Sequence, residues 1–177
     1  MRATGIVRRI DELGRVVIPK EIRRTQRIHS GDALGIFTDG KGEVVFKKYS
    51  PLAELGEPAA AYADVLARRL GCGVAVCDRE KIVAAAGAGR SELLGEPLPP
   101  ELDALLARRK LYTAPEEPLH RVALGSRWLL CAAPVLVHGD IEGGVLLPGM
   151  RRDAVPDPET IRAAATAAEF LARWMGE

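Results

Sequence analysis

The stretch TGIVRRIDELGRVVIPKEIRR, residues 4–24, sets five arginines, Arg8, Arg9, Arg15, Arg23 and Arg24, around a turn and the start of a helix. A guanidinium is planar, always charged and rich in donors, so it grips phosphate oxygens or a guanine edge bidentately. Residues 5–10 and 15–19 are rich in Ile, Val and Arg and flank Asp11, Glu12, Leu13 and Gly14, which have the chemistry of a tight turn. They read as two strands joined by that turn. Pro19 suits the start of a helix, where its fixed φ and missing N–H do no harm, and residues 20–28 follow as a short helix ended by Ser30, Gly31 and Asp32. Two more strands, 34–38 and 43–48, flank a second turn at Asp39, Gly40, Lys41 and Gly42, whose glycines offer freedom in φ.

Charge divides the chain in the same place. Residues 1–50 hold eleven Lys and Arg against six Asp and Glu, a net +5, whereas the remaining 127 hold fourteen against eighteen. A basic head on an acidic body points to a polyanion as the head's partner, with a merely solvated charged face as the plain alternative. Asp11 and Glu12 are adjacent acids in a turn, which more often close it or orient neighbouring arginines than do acid–base chemistry. Lys47, Lys48 and Tyr49 read equally as phosphate contacts or as a polar strand end.

Fifty residues with four short strands and one helix cannot bury enough apolar area alone, and their strand edges would stand unpaired. Ile6 and Val7, like Val16, Val17 and Ile18, do not alternate with polar residues, so these strands are expected to be covered on both faces, as in an intertwined dimer. A two-fold dimer presents its arginines twice, and with no long recognition helix it is expected to rely on phosphate contacts, a few groove-inserted arginines and DNA shape.

Residues 4–49, above all TGIVRRIDELGRVVIPKEIRRTQRI, resemble the swapped-hairpin DNA-binding domain of the AbrB family of transition-state regulators. The resemblance implies a β-rich dimeric domain that binds double-stranded DNA through an arginine in the first strand, one after the turn and a pair on the helix, here Arg8, Arg15, Arg23 and Arg24. Gln26, at a helix position where an apolar residue is expected, and Gly35, in a strand, depart from the pattern and bear on local packing. The likeness continues in SPLAELGEPAAAYADVLARRLGCGVAVCDRE, which resembles the start of the second domain of a sporulation member of that family. It implies control, by activation and repression, of late sporulation genes.

Ser50 and Pro51 break the last head strand, so the domains are expected at 1–50 and 58–177, with 51–57 as a short linker. In the body, Tyr62, Val65, Leu66 and Leu70 are expected on the inward face of a helix stopped by Gly71. Hairpins are expected at 74–86 and 128–147. Between them Pro99 and Pro100 introduce a helix with Leu102, Leu105 and Leu106 inward, followed by irregular chain with one strand at 119–124. The last helix has Asp157 as N-cap, Pro158 in its first turn and a stripe formed by Ile161, Ala164, Ala165, Ala168, Leu171, Ala172 and Met175. This α+β plan, an antiparallel sheet flanked by helices, resembles a GAF domain, with the likeness carried by VAVCDREKIVAAAG and LLCAAPVLVHGDIEGGVLL. GAF domains often enclose a small ligand, which would make Cys77, Ala85, Arg90 and the loop 87–100 pocket elements. The other reading is a domain that only oligomerises the head, giving a tetramer when both domains pair.

Cys72, Cys77 and Cys131 form no CxxC pair and read as buried packing residues, with redox sensing as the other reading. His29, His120 and His138 lack metal-ligand spacing, and neither metal nor cofactor is expected. No run approaches the roughly 18 to 20 apolar residues of a membrane span, so a cytoplasmic chain is expected. No nucleophile, base and orienting partner stand together in a motif, and an enzyme is not expected. An antitoxin-like protein that binds DNA with its head and a partner protein with its tail is the alternative to a transcription regulator.

Overall fold

The structure, a computed structural model, describes residues 4–26, 28, 30–115 and 121–176, which fall in two compact units, Met1–Tyr49 and Ser50–Glu177. In the first unit, helix α1 (Lys20–Thr25) starts after an extended Pro19 and stops short of the expected residue 28. Thr25 turns its hydroxyl back onto the Glu21 carbonyl, and the Gln26 N–H closes onto Arg24 and Ile22. A β-branched hydroxyl residue bonding its own backbone weakens helix propagation. Gln26 is thus an exposed end residue, which explains why a polar side chain is tolerated there.

Strands β1 (Leu34–Thr38) and β2 (Val44–Lys48) pair antiparallel with Leu34 opposite Lys48. Their turn is closed by Asp39, whose Oδ1 accepts from the Glu43 N–H at 2.7 Å. Gly42, at φ +86°, takes the left-handed position. The two strands expected at 5–10 and 15–19 are not formed. They are extended chain joined by a closed turn, in which the Asp11 N–H bonds the Arg15 carbonyl at 3.0 Å and the Gly14 N–H bonds the Asp11 carbonyl at 2.9 Å. Ile and Val favour a pleated, half-buried surface, but a strand exists only against a partner, and within one chain these segments find none.

The second unit begins at once. Residues 51–57, expected as a linker, are helical: α2 (Pro51–Glu54) runs nearly into α3 (Gly56–Leu70). The Ser50–Pro51 pair that reads as a strand breaker is also a helix start, since Ser50 Oγ accepts from the Ala53 N–H at 3.2 Å and Pro51 needs no N–H partner. Leu52 is fully buried. Ser50 Oγ also donates to Asp78 at 3.0 Å, and buried Asp78 accepts from the N–H groups of Glu80 and Lys81 at 2.7 and 2.8 Å. The body's first residues are thereby pinned to the turn between its first two strands.

Those strands are β3 (Val74–Cys77) and β4 (Ile82–Ala86). They are followed by α4 (Arg90–Leu93), α5 (Pro100–Leu106), β5 (Tyr112–Thr113), β6 (Ala123–Leu124), β7 (Arg127–Val137), β8 (Asp140–Gly149) and α6 (Pro158–Gly176). The expected strand at 119–124 lies partly outside the described residues, and its described end is β6. All pairings are antiparallel in the order β4-β3-β8-β7-β5, with β6 also against β7. Every residue of β3 is buried because the sheet has helices on both faces.

Val74 and Val76 face a core with Leu52, Ala59, Ala63, Ala67 and the Ala164–Leu171 stripe of α6, while Ala75 and Cys77 face another with Leu93, Leu98, Leu102 and Leu106. On α3 the buried row is Ala59, Ala63 and Ala67, flanked by Tyr62, Leu66 and Leu70, and Val65 is 59% exposed, against expectation. Two residues beyond Ala63 a side chain has turned about 200° round the helix, away from the sheet. No helix of the described residues is long and apolar enough to cross a membrane.

Candidate nucleic-acid interface

The Asp11 turn fixes the first part of the basic surface. Asp11 Oδ1 accepts from the N–H groups of Leu13 and Arg15 at 3.1 and 2.8 Å, and Oδ2 holds Arg15 Nε at 2.8 Å. Five residues thus close around one carboxylate, an Asx-type turn with an arginine latched across it. The Arg15 backbone N–H first, and its side chain second, hold the Asp11 carboxyl below its ordinary range. Asp11 thereby orients an arginine. Arg15 remains mostly exposed in this pair, so its remaining nitrogens face solvent.

Arg8 is exposed and donates to the carbonyl of its neighbour Val7 at 3.1 Å, and Arg9 beside it is exposed as well. Arg23 and Arg24 occupy the last turn of α1, both exposed, where cations also suit the helix's negative end. Being adjacent, they diverge by about 100° round the axis, so one substrate surface cannot meet both squarely. Lys20, in the first turn, lies three and four residues before them and completes a cationic helix surface. Its i, i+3, i+4 spacing was legible in the sequence, although Lys20 was read there only as the first helical residue.

At the end of β2 the cations are engaged internally: Lys47 Nζ lies 5.0 Å from the Phe37 ring centroid, and Lys48 reaches Asp32 at 3.9 Å. Arg27 and His29 lie outside the described residues.

Apolar exposure surrounds these arginines. Val7 is 84% exposed, Val17 72% and Ile36 66%, and Pro19 is the one buried residue among those described in the head. Large apolar side chains left bare in such number mark association.

The body gathers no enclosed site from the residues expected to line one. Cys77 and Ala85 are buried in the core between sheet and α5, and Arg90 is exposed at the start of α4. Cys77 on β3 and Ala85 on the edge strand β4 both pack against leucines in that core. A shallow groove of about 350 Å³ lies elsewhere, along Leu136, Val137, His138, Ala172, Arg173 and Gly176. Among the described residues no group of three or more His, Cys, Asp or Glu side chains could hold a metal ion. Burial pushes the Cys131 thiol up to about 12, and Cys77 further still.

Comparison with known proteins assigns both units. Residues 54–176 match the family described as stage V sporulation protein T C-terminal, transcription factor, and residues 7–53 match the family described as antidote-toxin recognition MazE, bacterial antitoxin. The chain is 41% identical over 186 residues to stage V sporulation protein T of Bacillus subtilis (strain 168), covering 99% of each. It is 57% identical over 51 residues to the transition state regulatory protein AbrB of the same organism, covering 29% of this chain and 52% of that one. A type II free methionine-R-sulfoxide reductase from Thermoplasma acidophilum is 15% identical with a TM-score of 0.50, over 68% of this chain and 94% of that one, a likeness of fold. The architecture is α+β, a head similar in sequence to AbrB followed by a body with an antiparallel sheet flanked by helices.

Proposed function

The chain belongs to the stage V sporulation protein T family, and on that footing we propose that it is a DNA-binding transcription regulator that activates and represses sporulation genes. Double-stranded DNA is the ligand of the head, and Arg8, Arg9, Arg15, Arg23 and Arg24 are the contacts. The observation that carries this reading is the latched Asp11 turn, which holds Arg15 outward on a basic unit whose cations are spread over two extended segments and a helix. The head works as a homodimer, since its bare Val7, Val17 and Ile36 need a second copy to cover them.

A second pairing, through the body, gives a tetramer. Tyr62 of α3 stacks on Phe170 of α6 at 4.7 Å, Phe170 meets Trp174 at 5.5 Å, and both α6 aromatics are substantially exposed. Four heads on one assembly would gain affinity by effective concentration rather than by new contacts. The body regulates and does not catalyse, and the protein acts in the cytoplasm.

Fluorescence anisotropy of the chain and of its Arg15→Ala, Arg23→Ala double variant on promoter-region duplexes, over a salt series, tests this. Wild type is expected to bind with a steep salt dependence, and the variant to lose at least tenfold in affinity together with part of the slope. Absence of binding at every salt concentration would transfer the arginines to a protein-docking role. The match of residues 7–53 to an antitoxin family favours one second reading, a head that binds DNA and a remainder that neutralises a partner protein. The body's two cores on either face of one sheet oppose it, because tails of that kind are commonly disordered until bound. Limited proteolysis that spares a fragment of about 120 residues favours the regulator, and a body degraded to peptides favours the antitoxin.

A further inference from the structure

The β6–β7 turn carries a guanidinium for which the DNA-binding head has no use. Arg127, the first residue of β7, pairs across the turn with Leu124 and is only 7% exposed. An arginine buried this far ordinarily has its donors occupied. Nε of Arg127 is sealed from solvent and has no hydrogen-bond partner, while neither Nη is sealed and neither bonds to any described residue. The opposite charge beside it, the Glu92 carboxylate, stands 3.4 Å from Nε and accepts instead from Ser126 Oγ at 2.7 Å. Glu92 is half in solvent, so it is a loose partner for a buried cation.

The backbone is shaped around this group. Gly89, at φ +89° just before α4, lies flat against the guanidinium, and a Cβ there would stand 2.1 Å from Nε and 2.5 Å from Cζ. Only glycine allows both that φ and that approach. Arg90, the next residue, is exposed and adds a second cation at the same corner. A stem buried in protein, with terminal nitrogens that are unbonded and not fully sealed, is the arrangement that receives a two-oxygen anion on the Nη edge.

We propose that Arg127, with Arg90 beside it, is an oxyanion-binding site of the body, taking the carboxylate or phosphate group of a small metabolite. Glu92 competes with that anion for the cation. The site is at the surface, outside the core that encloses Cys77 and Ala85, and it stands independently of DNA binding by the head.

Hydrogen–deuterium exchange of residues 87–94 in the full chain, titrated with inorganic phosphate or with acetate at constant ionic strength held by chloride, tests the proposal. Wild type is expected to show a saturable slowing in that segment. Glu92→Gln, which removes the competing charge at a half-exposed position, is expected to lower the concentration required several-fold. Arg127→Lys, which keeps the charge and loses the fork, is expected to raise it tenfold or more. Slowing by phosphate alone assigns a phosphate group, and slowing by both assigns any small oxyanion. The proposal fails if neither anion gives a saturable change in wild type or in Glu92→Gln, or if Arg127→Lys leaves the response unchanged. Should Arg127→Lys not fold, Glu92→Gln alone decides. Anion effects on the head register in residues 4–24, and DNA affinity of Glu92→Gln is expected to equal wild type, so either reading can fail without the other.

Discussion

Single residues in this chain are constrained most tightly where backbone meets backbone. Gly143 on β8 sits where an added Cβ would stand 1.9 Å from the Cys77 carbonyl oxygen and 2.5 Å from Leu52 Cδ1. The first neighbour is main chain of an adjacent strand and cannot step aside, so overpacking there falls on the sheet itself. Gly139, in the turn between β7 and β8, also has a positive φ, 89° against 157° at Gly143, but has nothing within 4 Å of a Cβ. The pair separates clash from conformation. Gly139→Ala is expected to cost about 1 to 2 kcal/mol, the left-handed penalty alone, and Gly143→Ala about 3 kcal/mol or more, through the clash with fixed main chain. Urea midpoints for the two variants, at unchanged m, check the order; equal losses would mean that the Leu52 side chain and the main chain at Cys77 and Asp78 yield freely at Gly143. The distinction was invisible in the sequence, where both are glycines in a hairpin.

Elements show where a linear reading succeeds and where it stops. Helix α6 was legible because its signals are local: Asp157 Oδ1 accepts from the Glu159 and Thr160 N–H groups at 2.9 Å each, and Oδ2 from the Thr160 hydroxyl at 2.7 Å. Those bonds, the Thr160 N–H first, hold the Asp157 carboxyl below its ordinary 3.8. A depressed folded value stabilises above the unfolded one and is lost as pH falls through it, so the first turn of α6 is expected to lose exchange protection on acidification below about pH 4. Asp157→Asn keeps an acceptor and cannot titrate, so its first-turn protection is expected to be unchanged on acidification from about pH 6, whereas wild type loses protection progressively below about pH 4. Protection that falls equally in both proteins would assign the acid response to another group. The hairpins β3–β4 and β7–β8 and helix α5 were legible for the same reason, in turn chemistry and prolines. Strands expected at 5–10 and 15–19 failed because pairing is not a property of a segment. Residues 51–57 failed because Ser50 and Pro51 end a strand and begin a helix with the same chemistry, and only the burial of Leu52 decides between them. For the site, arginine positions could be read directly, but the latch of Asp11 on Arg15 and the seating of Arg127 against Gly89 depend on contacts that spacing does not encode.

At the scale of the molecule the two units stand in opposite positions with respect to water. The body has a six-stranded sheet with a packed core on each face, which is enough burial for a domain to hold itself together. Among its described residues the head has one short hairpin, one helix of six residues and almost no interior. Fixing fifty residues costs conformational entropy that so little burial cannot offset, so the head is expected to fold with a second copy or not at all. Val17 discriminates, because it is 72% exposed in the single chain and lies in one of the unpaired extended segments. Were the head to remain single, Val17→Lys would exchange one solvated side chain for another and change stability by no more than about 0.5 kcal/mol. In a dimer the lysine is forced into the contact, and it must carry its charge into an apolar interface or push the copies apart. Isolated residues 1–50 are therefore expected to sediment as dimers, with a melting midpoint that falls on dilution, and Val17→Lys to sediment as unfolded monomer under the same conditions. A wild-type head that melts at one temperature across a hundredfold range of concentration, unaltered by Val17→Lys, would leave the apolar surface to be covered from within the full chain and remove the paired presentation of arginines from the DNA-binding reading.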